Sequence, residues 1–178
     1  MRKDFVVLGF IGLIIAFLIS GTKIQSVEEY YLTHVDDITP DAETVTLTIL
    51  NDRAYAERDK IPPEIHPYLT ADGVVLGKTT YVLRDGDTVF DVLNRATRHE
   101  RIQMEYQGAD LNIYNSIYIQ GINYLYEFAC GSLSGWMYSV NGEFPTKGVS
   151  QYAVKNGDDI IFRYTCNLGK DIGHDEFE

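Results

Sequence analysis

The residue types that could do chemistry gather late in the chain. Cys130 and Cys166 are its two cysteines, and Trp136 is its one tryptophan. Between the cysteines lie Trp136, Tyr138 and Phe144, preceded by a loop that carries Gly131 and Gly135. An aromatic face beside such a loop suits stacking on a flat macrocycle or a carbohydrate ring. Trp136, Tyr138, Phe144, Gly131 and Gly135 are therefore the candidate ligand-contact residues. The competing role is structural: Trp136, Tyr138 and Val140 alternate with Met137 and Ser139, as on a strand with one buried face, and aromatic stripes are usually core.

Other reactive types do not form a recognisable site. The four histidines, His34, His66, His99 and His174, are scattered. No His-Glu-x-x-His, Gly-x-Ser-x-Gly, phosphate loop or dinucleotide glycine motif occurs. Nothing places a nucleophile beside a base, so no enzyme is expected. Asp85, Asp87, Asp158 and Asp159 lack the spacing of an EF-hand loop and read as turn formers. His174 to Glu178 reads as a solvated acidic tail. No metal site is expected.

These residues need elements to position them. Asn141-Gly142 tolerates the positive φ angles of a type I′ turn, so the chain should reverse there, with Phe144-Pro145 closing the return. Asn156-Gly157-Asp158 marks a second turn, followed by alternating Ile160, Phe162 and Tyr164. Upstream, Val45, Leu47 and Ile49 alternate with threonines in a first strand. Short strands are expected at 73–76 and 79–83, a helix from Thr88 to about His99, and further strands at about 101–106, 113–119 and 122–128. Thr88 and Asp91 have capping-box spacing. Val89, Val92, Leu93 and Ala96 form one apolar stripe. Tyr81–Asp87 and Tyr152–Asp158 share a strand end, a basic residue and an acidic glycine turn, which is recurring turn chemistry. The expected fold class is α+β: a β-grasp-like mixed sheet with one main helix (about 88–99) and a C-terminal β-hairpin module, preceded by an N-terminal apolar helix.

Residues 5–19 are apolar throughout behind the basic start Arg2-Lys3. The run is short for a membrane-spanning helix and long for a signal-peptide core. Residues 1–21 are expected to be a retained signal anchor, or a signal peptide if cleaved. The N-terminus would stay cytoplasmic and the body would lie on the extracellular face of the membrane, or be secreted after cleavage. Residues 22–44 are an acidic linker, 45–173 one domain and 174–178 the acidic tail. In an oxidising compartment Cys130 and Cys166 should pair, closing a loop worth about 4 kcal/mol in the chain-entropy model. Two buried thiols are the alternative. A metal pair is disfavoured, because no His or Cys sits at ligand spacing from either.

A net charge of −11 excludes the electrostatics of nucleic-acid binding, which rests on Lys and Arg neutralising phosphates. It also disfavours lying on anionic lipid. The thirteen tyrosines suit strands and half-buried faces first, and binding surfaces second.

The runs 125–145 and 156–173 resemble the signature of the transcobalamin-like C-terminal domain family, extracellular domains of Gram-positive bacteria. The resemblance takes in Ala71–Leu76 and Asp85–Leu93 and covers Val45 to Gly173. It implies a β-grasp-like arrangement and a corrinoid (cobalamin-like) ligand at the face around Trp136. In the animal cobalamin carriers the β-domain closes over one face of the corrin while a helical domain holds the other. That helical partner has no counterpart in these residues, so the resemblance implies a ligand shared with a second protein. A second disulfide of the family is lacking, since its positions fall at Asn51 and Ser150. The expected function is a non-catalytic, membrane-anchored extracellular binding module with no cofactor beyond a corrinoid ligand. The alternative is a structural or adhesive surface module that contacts another protein and no small molecule.

Overall fold

The computed structural model describes residues 38–174. The chain divides into two units, Met1–Tyr30 and Tyr31–Glu178, and the described residues all lie in the second. The expected signal segment at 1–21, most of the linker and the tail beyond His174 lie outside them. Among the described residues no helix is long and apolar enough to cross a membrane.

The first strand, β1 (Thr44–Leu50), keeps its threonines half-buried and places Val45, Leu47 and Ile49 in the core. Short helix α1 (Asp52–Ala56) follows, then 3₁₀ turns at Arg58–Lys60 and Pro63–Tyr68. The two short strands expected at 73–76 and 79–83 merge into one nine-residue strand, β2 (Val74–Val82), antiparallel to β1.

Helix α2 (Val89–His99) starts as the sequence predicts. The Asp91 amide donates to Thr88 Oγ1 at 3.4 Å, and the Thr88 amide donates to Asp91 Oδ2 at 2.8 Å. Its apolar stripe, with Phe90 and Thr97 added, is buried, and the helix packs against β1. Arg95 forks onto Asp87 at 2.6 and 2.8 Å and also donates to the Val82 carbonyl, locking the turn before the helix. The two echoing turns share one construction. Arg84 N donates to Asp87 Oδ2 and Lys155 N to Asp158 Oδ2, each at 2.8 Å. Turn formation accounts for these two aspartates.

Strands β3 (Met104–Gln107), β4 (Tyr118–Ile122) and β5 (Leu125–Tyr126) form a small antiparallel sheet in the order β3-β4-β5. Asn123 and Tyr124 join β4 to β5 with φ of 52° and 61°, the two left-handed residues of a type I′ turn. The strand expected at 113–119 begins only at Tyr118. Residues 109–117 are instead a 3₁₀ turn and a loop whose backbone is bonded by the Asn112 amide.

Strand β6 (Gly135–Val140) runs into Asn141-Gly142, which take φ of 54° and 86° as their types demand. The return expected through Phe144-Pro145 is a single bridge, Val140 to Glu143. The antiparallel partner of β6 is β7 (Asp159–Thr165), reached after a long connection. Pro145 cannot donate to a ladder, and this stretch leaves the sheet beside it. β7 also pairs in parallel with β1, giving a four-stranded mixed sheet in the order β2-β1-β7-β6. Ile160, Phe162 and Tyr164 of β7 join Val45, Leu47 and Ile49 in the core. The architecture is thus α+β with two sheets and few helices.

Candidate functional site

Two loops meet where β6 begins and its antiparallel partner β7 ends. One, 127–134, links β5 to β6; the other, 166–169, follows β7. The first is a tight coil held by Ser134. Phe128 N donates to the Ser134 carbonyl at 3.0 Å, Cys130 N donates to Ser134 Oγ at 3.0 Å, and that hydroxyl donates to the Gly131 carbonyl at 2.7 Å. The second is wrapped on Thr165, whose Oγ1 accepts from Asn167 N and Gly169 N and donates to Asp171. Leu168 N donates to the Leu133 carbonyl at 2.8 Å and joins the loops.

Between them opens a cleft of about 260 Å³, walled by Tyr118, Phe128, Leu133, Trp136, Met137 and Leu168. Ser132, Ser134, Gly135 and Thr165 complete it. Phe128 is 61% exposed and Leu168 45% exposed. Both have a positive φ, 65° and 48°. Left-handed backbone costs a bulky L-residue roughly 1–2 kcal/mol, and burial does not offset it at exposed side chains. Such strain collects at ligand sites, and here two instances line one cleft.

The sequence nominees divide. Trp136 and Gly135 line this cleft. Trp136 is only 9% exposed, its Nε1 donates to the Leu125 carbonyl at 2.8 Å, and its ring packs edge-on against Tyr164 at 5.4 Å. It is the back wall. Tyr138 lines a neighbouring cavity of about 150 Å³ that shares Tyr118 and Trp136. Its hydroxyl donates to the Lys147 carbonyl at 2.5 Å, its ring stacks on Phe162, and burial pushes its pKa up to about 12, aided by Tyr152. Gly131 lies in the coil at φ 108°, a conformation L-residues rarely adopt. Phe144 lines neither cavity and packs on His174, with ring centroids 4.8 Å apart. Phe128, Leu133 and Leu168 escaped the sequence reading because their loops have no periodicity. The one signal was a bulky apolar residue within two positions of Gly or Cys at each.

Cys130 and Cys166 are free thiols, one in each loop. Burial pushes the Cys166 thiol well up, and the nearby Cys130 adds to it. Tyr164, fully buried beneath them, donates to the Tyr126 carbonyl at 2.8 Å with its hydroxyl 3.0 Å from Ser134 Oγ, and burial lifts its pKa to about 12. At the rim the Tyr118 hydroxyl donates to Glu127 Oε2 at 2.5 Å, and burial first, then this carboxylate, raises the phenol's pKa.

Nothing here resembles an acid–base or nucleophilic constellation. His66 Nε2 lies 2.9 Å from the Arg58 carbonyl and 3.0 Å from that of Ile61, and His99 faces Glu100 at 3.8 Å. Among the described residues no three His, Cys, Asp or Glu side chains could share a metal ion.

Loop 127–134, strand β7 and helix α2 fall within one recognisable stretch of sequence, which ends at Cys166. Residues 86–166 match the domain of unknown function DUF4430. No curated protein matches the chain. Among solved structures it is similar to haptocorrin in complex with Cbi, at 15% identity and a TM-score of 0.48, over 75% of this chain and 27% of that one. The chain thus spans about a quarter of haptocorrin's length. It is also similar to a candidate metal binding protein from Ruminococcus gnavus ATCC 29149, at 12% identity and a TM-score of 0.41, over 69% of this chain and 96% of that one.

Proposed function

We propose that this protein is a non-catalytic extracellular binding module that takes a flat, largely apolar ligand of the corrinoid kind in the cleft between loops 127–134 and 166–169. The observation that carries the proposal is the pair Phe128 and Leu168. Both are bulky, exposed and held in left-handed backbone, and both face the same cleft. The sequence resemblance over Val45 to Gly173 supplies the ligand class. The order β2-β1-β7-β6, with a central parallel pair and α2 packed on β1, supports a β-grasp arrangement for the larger sheet. In this reading residues 1–21 hold the domain at the outer face of the membrane, or release it if cleaved. Cys130 and Cys166 then close as a disulfide that clasps the two loops.

One observation favours a second reading, a surface module that binds another protein. Ile113 is 92% exposed, with Leu111 and Tyr114 also exposed beside it. Gln151 donates to the carbonyls of Tyr114 and Asn115, holding this loop in place.

Titration with cobalamin and cobinamide, following the corrin absorbance and the fluorescence of Trp136, tests the first reading. Saturable binding that weakens in Phe128→Ala and Leu168→Ala supports it. No response at high micromolar concentration rejects the corrinoid and leaves the protein-contact reading.

A further inference from the structure

The cleft has an asymmetry of hydrogen-bonding groups. Four of its side chains carry donors that already have partners. Trp136 Nε1 donates to the Leu125 carbonyl, Ser134 Oγ to the Gly131 carbonyl, Thr165 Oγ1 to Asp171, and the Tyr118 hydroxyl to Glu127. Ser132 is the one remaining side-chain donor in the lining. No Lys, Arg or His lines the cleft. Two carboxylates stand at its edges: Glu127, whose Cβ lies 3.9 Å from where a Cβ on Gly135 would sit, and Asp171, behind Thr165. Glu127 Oε2 accepts from Tyr118, and Oε1 keeps its capacity to accept. Lys170 is exposed two residues beyond Leu168, and His174 is buried against Gly169 and Phe144.

We infer that the cleft selects ligands whose polar edge donates hydrogen bonds, a primary amide or an ammonium group set on a flat apolar body. It rejects the same body edged with a carboxylate or phosphate. The inference rests on the cleft being a ligand site, as proposed above. An anionic edge placed against Glu127 would lose its water and gain at most the Ser132 hydroxyl in return, whereas an amide or ammonium edge replaces that water with the carboxylate. Sites with a fixed donor–acceptor sense discriminate more sharply than apolar walls do.

Three naphthalene probes that differ only at this edge provide the test: 1-naphthylmethylamine, 1-naphthaleneacetamide and 1-naphthaleneacetate. Each is titrated calorimetrically against the full 178-residue chain. The amine and the amide should bind at least about tenfold tighter than the acetate, equivalent to about 1.4 kcal/mol. Glu127→Gln keeps an acceptor for Tyr118 and should bring amine and acetate within about twofold. Tyr118→Phe should preserve the preference. Equal binding of all three probes, weakened alike by Phe128→Ala, overturns the selectivity and leaves the ligand site standing. Binding of none of them, together with no corrinoid response, removes the site and the inference with it.

Discussion

The indole of Trp136 reaches across from the large sheet and donates to the carbonyl of Leu125 in the small one, at 2.8 Å. Tyr164 makes the same crossing one residue on, to Tyr126. The two aromatics are struts between sheets, and the cleft exists because they hold β5 at a fixed distance from β6. Trp136→Phe removes the donor and leaves a buried carbonyl unmatched, at a cost of about 1–3 kcal/mol. Urea denaturation should report that loss. Trp136→Ala should lose about 3–5 kcal/mol, so a fall in its ligand affinity reports the collapse of the wall rather than a lost contact.

Leu168 separates stability from binding more cleanly. Its φ of 48° suits glycine and strains leucine. Leu168→Gly should leave stability unchanged or raise it by up to about 1 kcal/mol, since the relief of strain opposes the added chain entropy. Ligand affinity should fall at least fivefold. A matching fall in thermal midpoint would show that Leu168 packs as core.

The Cys130–Cys166 pair should be recovered as one cross-linked peptide from protein secreted into an oxidising medium, digested without reductant. Reduction should lower stability by about 4 kcal/mol in the chain-entropy model. It should weaken ligand binding further, because both cysteines sit in the loops that carry Phe128 and Leu168. Two free thiols in the secreted protein would refute the clasp.

Acid sensitivity should trace to Asp52. Burial alone would raise its pKa, but the Arg163 guanidinium, bonded through Nε at 2.8 Å and Nη2 at 2.5 Å, together with Arg53 and a local backbone bond outweighs burial and holds it below the usual carboxylate value. A folded-state pKa below the unfolded one contributes stability above about pH 3.9, and that contribution is lost as pH falls through the folded value. Asp52→Asn should therefore cost about 1 kcal/mol at pH 7, the pair being part-exposed. It should also flatten the loss of stability below pH 4, which denaturation midpoints across pH 2–7 will show.

Much of the frame was legible where local and tertiary demands agree. Val45, Leu47 and Ile49 alternate because one face of a central strand is core. Thr88 and Asp91 cap a helix whose stripe faces that core. The Asn141-Gly142 turn follows from residue type. Ile113 misled for a physical reason. Its spacing to Ile117 and Ile119 imitates a strand, yet Asn112 bonds the backbone on both sides of it and Asn115 turns left-handed at φ 47°. The cleft was half legible. Trp136 and Gly135 lie in a recognisable strand, but Phe128 and Leu168 line the cleft because of backbone angles set by loop hydrogen bonds that follow no repeating pattern.

The side-by-side placement of the first and last strands also has a mechanical meaning. β1 and β7 run in the same direction through five paired positions, from Thr46 with Asp159 to Leu50 with Arg163. A pull applied to the chain before Thr44 and opposed after Thr165 loads these rungs together in shear, not one by one as in peeling. The domain's resistance to stretching along that axis is then concentrated where its core is densest, and the cleft at the far end of β7 sits at the point where the load is delivered.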